Sequence, residues 1–224
     1  MTDKLTIYNG ALLFIGEGKL ASIASPATEE KQRLLDSVWD RGGINDCLSD
    51  GQWNFAMRAA KLDYETSIEP SFGPSRAFEK PSDLVRLCGF CYDAYFSSPI
   101  DNFSEEAGYW YADVDELYIK YVSNDSSWGS DYSLWTSRFT RYVEAYFGTR
   151  IAPALVKDIN VRALLTKEMK NLLSLAQSQD AMSGPSQALP MGSWRASRYG
   201  SGRGDRGRYG SGRGDRGSTT SLIG

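Results

Sequence analysis

The sequence predicts an α+β fold: a bundle of four amphipathic helices with a β-sheet or hairpin insertion between helices 2 and 3, followed by an extended C-terminal arm. Three observations carry that expectation. Apolar residues recur at helical spacing in four stretches of the 224-residue chain, about 2–16, 25–50, 131–152 and 160–179. Between the second and third of these, over about 52–123, the period shortens to two and aromatic residues alternate with polar ones. Beyond residue 183 the periodicity stops, and Gly, Ser and Arg dominate. Residues 1–183 are thus expected to form one domain and 184–224 an arm.

Leu5, Tyr8, Leu12 and Ile15 make one face of the first helix, with Thr2 as its N-cap and Gly16 and Gly18 as its stop. Ser25-Pro26 opens the second: an N-cap, then proline at the first helical position, with Glu29-Glu30 at the positive end of the dipole. Leu34, Leu35, Val38 and Trp39 form its apolar face, and Gly42-Gly43 kinks or breaks it before Ile44, Cys47 and Leu48 resume the pattern. Trp53, Phe55 and Met57 alternate with Asn54, Ala56 and Arg58, as in a strand. Residues 66–81, rich in Ser, Pro and Gly, read as a loop, and Leu84 to Tyr92 as a second strand. Tyr109-Trp110-Tyr111 and Leu117 to Tyr121 flank an acidic turn and read as a hairpin. In the third helix Trp135, Phe139, Tyr142, Val143 and Tyr146 share a face, and Pro153 ends or kinks it. Val161, Leu165, Met169, Leu172 and Ala176 stripe the fourth, which Gly184-Pro185 stops. The first helix is expected to pair with the last, with the sheet projecting from one end.

Composition excludes several chemistries. With no histidine there is no Ser-His-Asp triad, no Cys-His dyad, no histidine-ligated zinc and no histidine switch. Three cysteines are too few for a disulfide framework, and the odd count fits a reducing compartment. The first residues lack a basic segment followed by a long apolar run, so no signal peptide is expected. No stretch reaches the length of apolar sequence that a membrane span needs. The net charge of −3 divides unevenly. From Arg195 onward seven arginines face two aspartates, a net +5, which leaves 18 basic and 26 acidic residues elsewhere, a net −8. An acidic body repels phosphate, whereas a basic arm attracts phosphate or an acidic protein surface.

Cys88 and Cys91 form a C-x-x-C, but a zinc site would need further ligands, and in a strand positions i and i+3 point to opposite faces. They read as two ordinary buried thiols. The carboxylates Asp113, Asp115 and Glu116, and Glu105 and Glu106, raise an acid-pair hydrolase reading, although no pattern marks an acid or a base among them. Solvated turns are the plainer account. No catalytic, cofactor-binding or metal-binding residue is assigned, and the chain is not read as an enzyme.

In the arm, residues 198–207 (RYGSGRGDRG) are repeated letter for letter at 208–217. With no aliphatic residue, the copies cannot build a core. The two Arg-Gly-Asp tripeptides follow from composition and duplication. The repeat also resembles segments that bind nucleic acid by charge and stacking; the alternative is arginines paired with carboxylates of a partner protein. Trp194 beside Arg195, with Arg198 and Tyr199 following, reads as an anchor for a pocket on another chain; the alternative is docking back onto its own domain.

Several segments resemble one family. Asn9 to Glu17 (NGALLFIGE) is similar to the opening helix of the head-to-tail adaptors of short-tailed bacteriophages, the tail tubular protein A family. Gly51-Gln52-Trp53-Asn54-Phe55-Ala56 resembles its W-N-F-A segment, and Phe78 to Arg86 (FEKPSDLVR) its Y-x-L-P-x-D-x-L-R segment. Tyr118-Ile119-Lys120-Tyr121-Val122, followed by Trp128 and a long aromatic helix, resembles its L-x-Y strand. The resemblance covers roughly residues 4–180. Gly42-Gly43 departs from it by interrupting a helix expected to be continuous, and the Arg/Gly repeat lies outside the family pattern. The resemblance implies a ring, usually of twelve copies, under the portal protein of a virion tail, made in the host bacterial cytoplasm. Genomic DNA would pass through the lumen without specific binding, and the ring would give a platform to the tail nozzle protein. It also implies a C-terminal extension that reaches onto the portal; in this chain the arm is expected to bind the portal or a neighbouring copy through Trp194, Arg195, Arg198 and Tyr199. No cofactor and no membrane are implied.

Overall fold

The computed structural model describes residues 3–183, except 25, 26, 28, 69, 71 and 72. These residues form five α-helices and two three-stranded antiparallel sheets, a mixed α+β fold that overturns the expected four-helix bundle with a hairpin insertion.

Helix α1 spans Lys4–Ile15. Its N-cap is Asp3, whose Oδ1 accepts the Thr6 N–H at 2.7 Å, in the place expected for Thr2, and Gly16 closes it in the left-handed region at φ 81°. The expected helix 25–50 is two helices, α2 (Glu30–Asp40) and α3 (Gly43–Ser49). The break has a local cause. Gly42 sits at φ 85°, where an L side chain is strained, and a Cβ on Gly43 would lie 2.9 Å from the Val38 carbonyl and 3.0 Å from the Phe147 ring. The Ser25-Pro26 start lies outside the described residues.

The strand expected at Trp53–Met57 is instead a 3₁₀ turn, Asn54–Ala56, leading into β1 (Met57–Asp63). Trp53 and Phe55 point into the helical core rather than along a sheet, and the Trp53 indole N–H donates to the Cys47 carbonyl at 3.1 Å. Part of the expected loop 66–81 is a strand, β2 (Arg76–Glu79). Then come β3 (Leu84–Cys91), β4 (Ser104–Glu106), β5 (Tyr109–Ala112) and β6 (Glu116–Ser123).

Sheet A has the order β1-β6-β3 and sheet B the order β2-β5-β4. The expected hairpin of β5 with β6 therefore does not exist: the two strands enter different sheets. The acidic turn between them is tied elsewhere. Asp113 accepts from the Ser75 N–H and hydroxyl at 2.7 and 2.9 Å, and Asp115 pairs with Arg76 at 3.1 Å, anchoring the turn to the start of β2. The tight hairpin is β4–β5, where Ala107 (φ 46°) and Gly108 (φ 90°) take the two positive-φ positions of its turn.

Leu117, Ile119 and Tyr121 of β6 face sheet B and are buried with its Phe78 and Trp110. Helix α4 (Ser137–Leu155), capped by the Thr136 hydroxyl, starts six residues later than the expected 131, and Pro153 lies within its last turn rather than at its end. Helix α5 runs Ile159–Ser183. Both α1 and α5 pack on α4, which corrects the expected first-with-last pairing. Helix α4 takes this central place because it is apolar on several sides: Phe139, Tyr142, Val143, Ala145, Tyr146 and Phe147 are all buried. A Cβ on Gly148 would lie 2.8 Å from the Ala11 carbonyl, so this glycine lets α1 approach closely. Among the described residues no helix is long and apolar enough to cross a membrane.

Candidate functional site

Three of the four segments that carry the family resemblance converge where sheet A meets the helices. Asp83, in the turn before β3, accepts from Arg58 of β1 at 2.8 Å, and from the hydroxyls of Tyr121 (3.1 Å) and Ser123 of β6. Burial acts to raise this carboxyl, but the hydrogen bonds from Ser123, Arg58 and Tyr121 outweigh it and hold it below the ordinary aspartate range. Burial, aided by the Asp83 charge, pushes the Tyr121 hydroxyl up to about 12. Three residues on, Arg86 crosses to α3, its guanidinium donating to the Ser49 carbonyl at 2.9 Å. Trp53 packs against Phe139 of α4, ring centroids 4.6 Å apart.

Two more tethers complete this joint. Tyr142 of α4 donates to Asp50, and Tyr146 donates to Asp46 of α3 at 2.6 Å while accepting from Arg150 at 2.7 Å. Burial raises both phenols, that of Tyr146 to about 12. At the far end of α5 the Asp180 carboxylate accepts the Asn54 N–H at 3.0 and 3.1 Å, and the Asn54 side chain donates back to the Asp180 carbonyl at 2.8 Å. Asp180 is only 5% exposed, and burial raises its carboxyl. Nothing in the sequence marks Asp46, Asp50 or Asp180, because their partners lie about a hundred residues away along the chain.

Where the inner face of sheet A runs out at its β1 edge lies an open cleft of about 630 Å³. Ala60, Leu62 and Tyr121 line it, with Pro81 of the β2–β3 turn. Asp63, Glu65, Glu79 and Asp125 rim it. Its two basic residues are already engaged, Arg58 with Asp83 and Lys80 with Glu105. Glu65, Glu79 and Asp125 have no basic partner among the described residues.

The carboxylates considered for acid-pair chemistry are mostly tethers. Glu105 holds Lys80 and the Trp110 indole, Asp113 holds Ser75, and Glu116 holds Lys61 and Tyr118. Those hydrogen bonds hold all three carboxyls below their ordinary range, the ionised state that a tether needs. Burial raises two other carboxyls, Asp180 and Glu144, the latter lying over Gly10 of α1. Cys88 is half-buried and Cys91 buried, both as free thiols that burial pushes up. Among the described residues no group of three Cys, Asp or Glu side chains is placed to hold a metal ion. Trp194, Arg195, Arg198 and Tyr199 lie outside the described residues. Compared with known proteins, the chain matches no family model, and no curated protein matches it. The resemblance rests on its short motifs alone.

Proposed function

We propose that this chain is a structural virion protein: a head-to-tail adaptor that forms a ring under a portal, continues the DNA channel and offers a docking platform to the tail nozzle. The observation that carries the reading is the joint at Asp83. Three of the four segments that resemble the adaptor family meet there: Gly51–Ala56, Phe78–Arg86 and Tyr118–Val122. They are distant in sequence, yet Asp83, Arg86, Tyr121, Trp53 and Asn54 all serve to tie sheet A, α3, α4 and α5 together. Motif residues spent on holding two layers rigidly suit a part whose task is to stay fixed between partners. The body's −8 charge supports a lumen through which DNA slides, because like charge does not retain phosphate. Attachment to the portal is assigned to the arm, with Trp194 as the buried anchor and Arg195, Arg198 and Tyr199 beside it.

Negative-stain microscopy of the purified chain mixed with the cognate portal tests the reading. Rings of this chain on portals are expected. Bare portals at saturating concentrations of the chain would reject it. Incubation with peptidoglycan tests the hydrolase alternative, and no released fragments are expected.

A further inference from the structure

We propose that the Arg/Gly repeat of one copy, beyond its portal anchor and over residues 200–217, docks in the cleft at the β1 edge of sheet A of a neighbouring copy. This rests on the reading that copies stand side by side, as in a ring, though not on a portal being present.

The cleft is a stretch of sheet face left only partly covered. Ala60 and Leu62 alternate along β1 on the inner face, opposite Ile119 and Leu117 of β6, and remain only half-buried where the packing of sheet B ends. An occupant must suit a small apolar floor and a rim with four carboxylates, whose two cations already hold carboxylates of their own. The repeat has that chemistry. Residues 200–217 carry five arginines, at 203, 206, 208, 213 and 216, separated mostly by glycine and serine. Glycine lets an extended backbone lie close to a sheet, tyrosine supplies the apolar contact, and a guanidinium fork pairs with a carboxylate in bidentate fashion.

Reach and charge favour a neighbour. The 14 residues from Pro185 to Arg198 span up to about 46–50 Å when extended, a reach suited to an adjacent copy. Bodies of net −8 repel one another when set side by side, and an arm of net +5 laid across the boundary offsets that repulsion.

The test uses the full chain with Tyr209 replaced by a photoreactive benzoylphenylalanine. Heavy-isotope and light chains are mixed in equal amounts at low salt and irradiated. Heavy–light crosslinks to residues within 58–65 or 79–83 are expected. Asp63→Lys combined with Glu79→Lys, both exposed positions whose one ion pair among the described residues is that of Asp63 with Lys61 at 3.8 Å, should reduce them by at least about tenfold. Reversing Arg203, Arg206 and Arg208 to Glu in that background should restore them. Crosslinks confined to chains of one isotope, crosslinks elsewhere, or a yield unmoved by the charge reversals would each overturn the proposal. Portal attachment, measured on the same variants, separates the two ideas. Lost crosslinks with intact attachment remove the dock and leave the adaptor; lost attachment with intact crosslinks does the reverse.

Discussion

Two aspartates in this protein respond to acid in opposite senses. Asp83 has its folded carboxyl held below the unfolded value of about 3.9, so the stability it contributes is complete above that pH and disappears as pH falls through the folded value. Asp83→Ala strands the buried Ser123 hydroxyl and the Tyr121 phenol. It should lower the unfolding free energy by about 2 kcal/mol at neutral pH, a deficit that shrinks in acid. Asp180 is the reverse case. Burial raises its folded carboxyl, so the ionised form is penalised at neutral pH, and stability rises as pH falls through the folded value toward the unfolded one. Asp180→Asn keeps an acceptor for the Asn54 N–H without the buried charge. It should therefore raise the urea midpoint at pH 7 and give little advantage at pH 4. Urea titrations of both variants at the two pH values check these signs; an Asp180→Asn midpoint below wild type at pH 7 would contradict the burial argument.

Between residue and fold, the break separating α2 from α3 lets α3 turn so that Asp46 and Asp50 meet the tyrosines of α4. Gly42 makes that turn at φ 85°. Gly42→Ala should cost about 1–2 kcal/mol, the penalty for an L side chain in the left-handed region. Gly18→Ala is the control: its Cβ would meet nothing nearer than the Lys31 ammonium at 3.7 Å, so a change within about 0.5 kcal/mol is expected. Denaturation midpoints of the two variants decide the matter, and equal losses would show that the break at Gly42 is not strained.

Across the whole molecule, body and arm are expected to separate in function. Helix α5 ends in its own tether at Asp180, so a chain ending at Gly184 should keep the helical signal and melting temperature of the full protein and yet fail to attach to portal. Trp194→Ala alone should weaken attachment by about 2 kcal/mol per arm. Loss of the repeat should matter less, and mainly at low salt, as fits exposed charge pairs. Calorimetry and co-sedimentation with portal measure the two halves of this prediction. Attachment by the truncated chain as tight as by the full protein would pass the joint to the helices and sheets.

What the sequence determined by itself is what local chemistry can record. Absent histidine removes whole reaction classes, periodicity marks where helices run, Gly42-Gly43 marks a break, and the charge division separates an acidic body from a basic arm. Helical period was legible because it reports one buried face along consecutive turns. Strand pairing was not, because aromatic alternation in Tyr109–Tyr111 and Leu117–Tyr121 shows that a face is buried without saying against which strand. The turn between them was settled by Ser75 and Arg76, almost forty residues earlier. The joint was legible only in part. Asp83, Arg86 and Tyr121 lie in segments that the motifs point to. Their partners, and the Asp180–Asn54 tether across 126 residues, exist only once the chain has folded, since a buried carboxylate takes whichever donors the packing brings to it.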